Sequence, residues 1–534
     1  MRVLIADTMS PRAAEIFRDR GVEVDDRPGM AAKDLIAVAG AYDGIAVRSS
    51  TKITAAVLDA ATRLQVVGRA GIGVDNIDVA AATAHGVAVM NTPFGNSITT
   101  AEHAIAMLMA LARQLPEADR STHAGKWEKN RFMGVEVAGK TLGLIGCGNI
   151  GSVVADRAQG LKMRVLGYDP YLSAERAVAL GVEKVELEEL LARADFISLH
   201  TPLTDQTRNI LDGAAMAKTK RGVRIINCAR GGLIDEEALH AALVSGHVAG
   251  AALDVFAKEP ATDSPLFALA QVIATPHLGA STSEAQENVA IQIAEQMSDF
   301  LLLGAVTNAL NMPSVSAEDA PKLRPYMRLA QQLGSFAAQV TETGIKSVRI
   351  DFEGQVAALN TRPLSAVVLE GFLSPLMTSV NMVNATVVAR ERGIAVTEST
   401  NERAGDYHSL IRLTIEAEGR THSVAGTLFS NSKPRVVEVD GITVEAELAP
   451  HMLFLINDDK PGFIGALGTT LGGAGVNIAT FHLGRMAAGG SAMALIEVDG
   501  PIPEAVLDAV RRLPLVRQAK GLNFALPRVG ARAA

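Results

Sequence analysis

Gly146, Gly148 and Gly151 stand in LIGCGNIG, between a short apolar run and a helical pattern. There the first glycine permits a tight turn, the second lets the main chain approach a pyrophosphate, and the third allows close helix–strand packing. Amides at the helix start then face the phosphates, and the helix dipole favours negative charge. Asp169 follows 18 residues beyond Gly151, at the end of a second strand. A carboxylate there accepts from ribose hydroxyls and repels a 2′-phosphate, which selects NAD over NADP. A lone glycine triplet is a weak signal. Strand, loop, helix, strand and acid in sequence make it specific.

Hydride transfer from a hydroxy acid also needs a base for the hydroxyl proton, a cation for the carboxylate and a partner that tunes the base. Arg230 in NCARGG, Glu259 in DVFAKEP and His277 in TPHLGAST supply those types, each just after a strand-like run. Arginine's planar fork suits a bidentate grip on a carboxylate. The carboxyl ends of strands in an open α/β sheet line the ligand crevice, so the three can converge.

The elements that position them alternate. RVLIA (Arg2–Ala6), GIAVRSS (Gly44–Ser50), LQVVGRA (Leu64–Ala70) and VAVMNTP (Val87–Pro93) read as buried strands, with crossover helices in PRAAEIFRDRG and TAAVLDAATR. This first doubly wound unit has no glycine loop after its first strand, so it is expected to hold something other than the dinucleotide. Ser97–Arg113 reads as a long apolar helix linking to the second unit, about 140–277. Its later strands read as Arg164–Asp169, Asp195–His200, Val223–Ala229, Ala249–Val255 and Gln271–His277, and Ser281–Gly304 reads as one helix that can return to the first unit. Beyond residue 309 a helix pattern, Pro321–Val340, precedes strand-like alternation, and the segment from His451 reads strand, helix, strand, strand, helix, strand, a ferredoxin-like plan.

Composition narrows the class. Hydrophobic residues make up 48% and charged residues 20% of 534, which suits a globular protein of three or four domains. Lys and Arg number 50 against 58 Asp and Glu, a net −8 that points to neither nucleic acid nor a membrane surface. Cys147 and Cys228 cannot form a disulfide framework and fit a reducing compartment, where they serve as packing residues. MRVLIADTMS enters a strand directly without a charged leader, and apolar runs such as Ala104–Leu111 are too short to span a bilayer. A cytoplasmic location is expected, and no metal is called for.

The chain resembles the D-isomer-specific 2-hydroxyacid dehydrogenases nearly end to end, through VGRAGIGVDNID, VMNTPFGNS, GKWEKNRFMG, GLIGCGNIG, NCARGG, DVFAKEP and TPHLGAST. The resemblance implies two Rossmann-like parallel-sheet domains, then an α+β intervening domain and a ferredoxin-like ACT domain, as in the family's long form. The implied boundaries are 1–97 with 281–308 for substrate, 98–280 for NAD, 309–450 for the intervening domain and 451–526 for the ACT domain. It also implies that His277 takes the hydroxyl proton, that Glu259 supports the imidazolium, and that Arg230 holds the carboxylate and polarises the developing carbonyl. Dinucleotide contacts carry over to Asn149, Ile150, Asp169, Thr201, Cys228, Ala229, Arg230, Asp254, His277, Leu278, Gly279 and Ala280. Ile72 and Asn149 depart from relatives that carry threonine and arginine there, which weakens single contacts rather than the class.

The long form implies oxidation of 3-phospho-D-glycerate to 3-phosphohydroxypyruvate, the first step of L-serine synthesis. The phosphate needs further cations. Arg48 and Arg69 end strands of the first unit, and Lys129 matches a basic position that the family lends across a dimer. Serine can bind between paired ACT units in the family, and the matching positions are Asn457, Asp459 and Asn477. A homodimer or homotetramer is implied. Two alternatives stay open: a glyoxylate or hydroxypyruvate reductase, and an NAD-sensing binding protein of the corepressor kind.

Overall fold

The computed structural model describes residues 1–524 apart from 317, 342, 343, 378, 379 and 404. The last two residues of the expected ACT segment, 525 and 526, therefore lie outside the described residues. Among the described residues four sheets follow one another along the chain.

The first sheet runs Glu23–Asp26, Arg2–Ile5, Gly44–Val47, Val66–Arg69, Ala88–Asn91, all parallel. Its strand order reverses between Arg2–Ile5 and Gly44–Val47, a switch point where ligand crevices form. The strands Gly44–Val47 and Ala88–Asn91 are buried along their whole length, which explains their unbroken apolar runs. Ser283–Leu303 forms one helix, with the Thr282 side chain capping its first turn. It returns to this sheet through Ile293 and Met297, which pack against Gly68, and through an Arg20–Asp299 ion pair of 2.5 Å.

The second sheet has seven parallel strands in the order Val272–Ala274, Val248–Leu253, Val223–Asn227, Phe196–Leu199, Thr141–Ile145, Arg164–Tyr168, Glu183–Lys184. Its switch point lies between Thr141–Ile145 and Phe196–Leu199, beside the glycine loop. The strands end earlier than their apolar runs. Gly44–Val47 stops before Arg48, and Val272–Ala274 stops three residues before His277. The charged residues are thereby left on loops at the carboxyl ends.

The third sheet has six strands, with Ser347–Gly354 parallel to Ala395–Asn401 and the remaining pairs antiparallel. Helices Ala320–Val340 and Arg362–Leu373 contribute Leu329, Leu333, Phe336, Val368 and Phe372 to its core. The fourth sheet, in the order Ile478–Arg485, Ser491–Val498, His451–Asp458, Val516–Asn523, is antiparallel throughout and carries two helices, the ferredoxin-like arrangement. No helix among the described residues is long and apolar enough to cross a membrane.

Candidate active site

The ends of three neighbouring strands bring Arg230, Glu259 and His277 to one cleft of about 930 Å³ between the first two sheets. Arg48, Arg69 and Asp75 line its other wall.

His277 Nδ1 donates to Glu259 Oε2 at 2.7 Å, and Glu259 Oε1 accepts from the Phe256 amide at 3.0 Å. The hydrogen bond to Glu259 raises the His277 pKa above its ordinary value, against burial and the nearby Arg230. Burial pushes Glu259 up, but the hydrogen bonds from His277 and the Phe256 amide outweigh it and hold the carboxyl below its usual range. With Nδ1 committed to Glu259, Nε2 is the ring nitrogen left to exchange a proton. His277 adopts a φ of +57°, a region side-chain-bearing residues seldom use. Asp254 fixes it there.

Asp254, to which the resemblance assigns a dinucleotide contact, is among the residues lining the cleft. Its side chain is buried, and its carboxylate accepts from the amides of Leu278 at 2.7 Å and Gly279 at 2.8 Å and from Thr275 Oγ1 at 2.6 Å. The His277 amide donates to the Asp254 carbonyl at 3.0 Å. Asp254 is the anchor of the loop that presents the imidazole. His103, whose Nε2 lies 3.3 Å from Asp254, adds a second support that sequence reasoning missed.

The cationic wall is built on two loops of the first sheet. Asp7 accepts from the amides of Arg48 at 2.6 Å and Thr51 at 3.1 Å. Asn76 Nδ2 donates to the carbonyls of the same two residues, at 2.7 and 2.6 Å. Burial, with repulsion from Arg230 and Arg48, lowers the Arg69 pKa to about 10, and Arg69 Nε is buried without a partner among the described residues. Such a cluster favours an incoming anion. Asp7 and Asn76 were missed because each acts on main chain far away in sequence. The visible signal was a pair of short polar residues, Asp75 and Asn76, right after a glycine-rich strand end.

The glycine loop fits a dinucleotide. Gly146 has a φ of +98°, and a Cβ there would stand 2.5 Å from the His200 carbonyl, next to the Thr201 amide. A Cβ on Gly151 would stand 2.1 Å from the Gly146 carbonyl, whereas one on Gly148 meets nothing within 4 Å. Packing fixes the first and third glycines, and the second opens on space where a pyrophosphate can seat. Asp169 accepts from the Cys147 amide at 2.9 Å, so its carboxylate lies against the loop. Asn149 Nδ2 donates to the Pro93 carbonyl at 3.3 Å, and Ile150 packs against the core of this unit. Cys228 and Ala229 are buried in the turn before Arg230, where Asn227 binds the Ala229 amide at 3.1 Å and the Arg230 carbonyl at 2.9 Å. Ala280 lines the cleft, as does Asn96, whose Oδ1 is buried and without a partner among the described residues.

Some expected residues are not brought together. Lys129 is exposed in a loop outside the cleft of its own chain, because its segment leaves the helix Leu115–His123 on the outer surface. Asn457 is buried with its side chain turned onto the Asp458 carbonyl at 2.9 Å, and Asp459 is engaged by Arg485 at 2.8 Å. Asn477, bonded to Asp499 at 2.9 Å, lies at the opposite end of the sheet. Asp458 pairs with Ser491 and Ile478 pairs with Val498, so these positions sit roughly 24 Å apart along one strand. Within one chain they form no site.

Profiles of known families match three stretches: "D-isomer specific 2-hydroxyacid dehydrogenase, NAD binding domain" over residues 105–279, "D-3-phosphoglycerate dehydrogenase intervening domain" over 322–440, and "ACT domain" over 451–515. A D-3-phosphoglycerate dehydrogenase of Synechocystis sp. is 42% identical over 97% of this chain and 94% of its own length. This chain belongs to the D-3-phosphoglycerate dehydrogenase family. The family's Bacillus subtilis member is 40% identical over 98% of this chain and 99% of its own. Among solved structures, TT0316 from Thermus thermophilus is similar with a TM-score of 0.53 at 35% identity, covering 58% of this chain and 100% of that one. A glyoxylate reductase from Paecilomyes thermophila gives 0.55 at 30%, covering 58% and 98%. These two likenesses cover little more than half of this chain, whereas the family's members span nearly all of it.

Proposed function

We propose that this chain oxidises 3-phospho-D-glycerate to 3-phosphohydroxypyruvate with NAD, the first step of L-serine synthesis. The observation that carries the reading is one cleft faced by a His277–Glu259 pair and three arginines. Arg230 grips the substrate carboxylate and polarises the carbonyl as it develops. His277 Nε2 takes the hydroxyl proton, and Glu259 stabilises the imidazolium that results. Arg69 and Arg48 face the phosphate, whose charge offsets the mutual repulsion of the arginines at the cleft. Bound NAD supplies the hydride acceptor, and Gly146, Gly148, Gly151 and Asp169 are the residues that fit it. Residues 1–97 with 281–308 then act as substrate domain and 98–280 as cofactor domain, with 309–450 and 451–526 as intervening and ACT domains.

The assay is NADH formation from 3-phosphoglycerate, with glycerate and glycolate as controls. The reading is overturned if phosphate confers no advantage in kcat/KM. Two further parts follow from the same placement. Leu115, Trp127 and Met133 are exposed apolar residues flanking Lys129, which suits a seat for a second copy that receives Lys129 into its cleft. Sedimentation of the wild type and of Trp127→Glu tests this, with a monomeric wild type as the refuting result. Serine acts as a feedback effector between paired ACT units, and velocity unchanged by serine removes that part. A cytoplasmic location suits a metabolic enzyme of this kind.

A further inference from the structure

We propose that Asp75 is a positioning residue for the reaction, which sets the orientation of Arg230 from the opposite wall of the cleft. This rests on the reading of Arg230 as the group that grips the substrate carboxylate.

Arg230 Nε donates to Asp75 Oδ2 at 3.0 Å, and its Nη1 donates to the Ala229 carbonyl at 2.7 Å. A guanidinium is planar, so partners on two different nitrogens fix both its plane and its rotation within that plane. The Ala229 contact is local to the strand end. Only Asp75 among these partners comes from the first sheet's unit, so the fork is aimed by a residue on the other side of the cleft.

A second feature makes room for the pair. A Cβ at Gly73 would stand 1.8 Å from Arg230 Nη2 and 2.8 Å from Asp75 Oδ2. Both groups therefore meet over a bare Cα. The loop that carries Gly73 is itself held, with the Gly71 amide donating to Thr92 Oγ1 at 2.8 Å and Asn91 Nδ2 donating to the Ile72 carbonyl at 2.6 Å. Asp75 also places a negative charge among Arg48, Arg69 and Arg230, whose mutual repulsion would otherwise spread them. Its own side chain is 71% exposed, so the ion pair adds little to folding, and its effect is expected in turnover.

The test is a double-mutant cycle of Asp75→Ala with Arg230→Lys, read as kcat and KM for whichever 2-hydroxy acid the wild type oxidises. In the wild-type background Asp75→Ala is expected to lower kcat/KM on the order of 10²-fold, the cost of a misplaced contact group, with kcat falling as well as KM rising. In the Arg230→Lys background the same change is expected to cost under about 3-fold, because the fork it aims is gone. Asp75→Asn, which keeps an acceptor for Nε–H, is expected to retain more activity than Asp75→Ala. NADH affinity, measured by fluorescence, stays at the wild-type value in the single Asp75 variants and reports that they are folded. Equal losses in both backgrounds, or an Asp75→Ala enzyme with unchanged kcat/KM, overturn the proposal. A wild type that oxidises no 2-hydroxy acid overturns the reading of Arg230 instead.

Discussion

Gly148→Ala separates a cofactor cradle from an ordinary turn. The φ at Gly148 is −73°, which any residue adopts, and an added Cβ meets no protein atom within 4 Å. The residue caps the helix Asn149–Gly160, where alanine is a poorer cap than glycine. Against that, alanine restricts the unfolded chain and stabilises the fold by about 0.4–1 kcal/mol. The two effects nearly offset, so the melting temperature should barely move. The methyl nevertheless projects ~1.5 Å into the space above the loop. A pyrophosphate docked on the main chain would be pushed outward by about 1 Å, and losing one charge-assisted amide contact, worth about 1.5–3 kcal/mol, lowers NADH affinity roughly 10- to 100-fold. NADH titration by fluorescence together with a thermal melt reads both quantities. Gly151→Ala is the contrast, because its Cβ would stand 2.1 Å from the main-chain carbonyl of Gly146 and must distort the fold. A Gly148→Ala protein that binds NADH at wild-type affinity refutes the assignment of this loop.

Proton transfer to His277 requires a neutral imidazole, so kcat/KM for oxidation should fall as pH drops through its pKa. The Glu259 hydrogen bond raises that pKa, so Glu259→Gln should move the acid limb to lower pH and reduce the plateau, and an unmoved limb in the pH–rate profile counts against the pairing. Arg69→Ala should raise KM for the phosphorylated substrate about 10- to 100-fold, as expected for a buried charge-assisted contact, with little change in NADH affinity. Equal KM changes for phosphoglycerate and glycerate would show that Arg69 does not read the phosphate. Burial pushes the Cys147 thiol up to about 12 and also raises that of Cys228, so neither should react with a thiol reagent at pH 8 until the protein is unfolded. Rapid labelling of the native enzyme would contradict this.

Much of the architecture was legible because parallel strands buried on both faces write continuous apolar runs. Val66–Arg69 and Ala88–Asn91 are of that kind. The strand Glu23–Asp26 was not legible, since it sits at a sheet edge, is half exposed and consists of Glu, Val and two Asp. Glu183–Lys184 escaped for the same reason. At the site, Arg230, Glu259 and His277 could be read because each directly follows a strand. Asp7, Asn76 and Asp75 could not, because their partners lie 41, 28 and 155 residues away and only folding brings them together. The structural role of Asp254 was hidden by the same gap. Its carboxylate accepts from Leu278, Gly279 and Thr275, and only folding brings those donors to it.

The distance between Asp459 and Asn477 bears on how serine would be sensed. One fourth-sheet unit carries them at opposite ends, so a site using both must draw them from two chains. A twofold axis that pairs two such units edge to edge sets each Asp459 end beside the partner's Asn477 end and creates two equivalent sites. Asp459→Ala and Asn477→Ala should then each abolish serine sensitivity in pure form while leaving basal turnover intact. Oligomers refolded from an equal mixture of the two variants should regain part of it. A chain pair holding one of each has one site with both residues intact and one with neither. A site confined to a single chain predicts no recovery, and velocity against serine for the mixed oligomer decides between them.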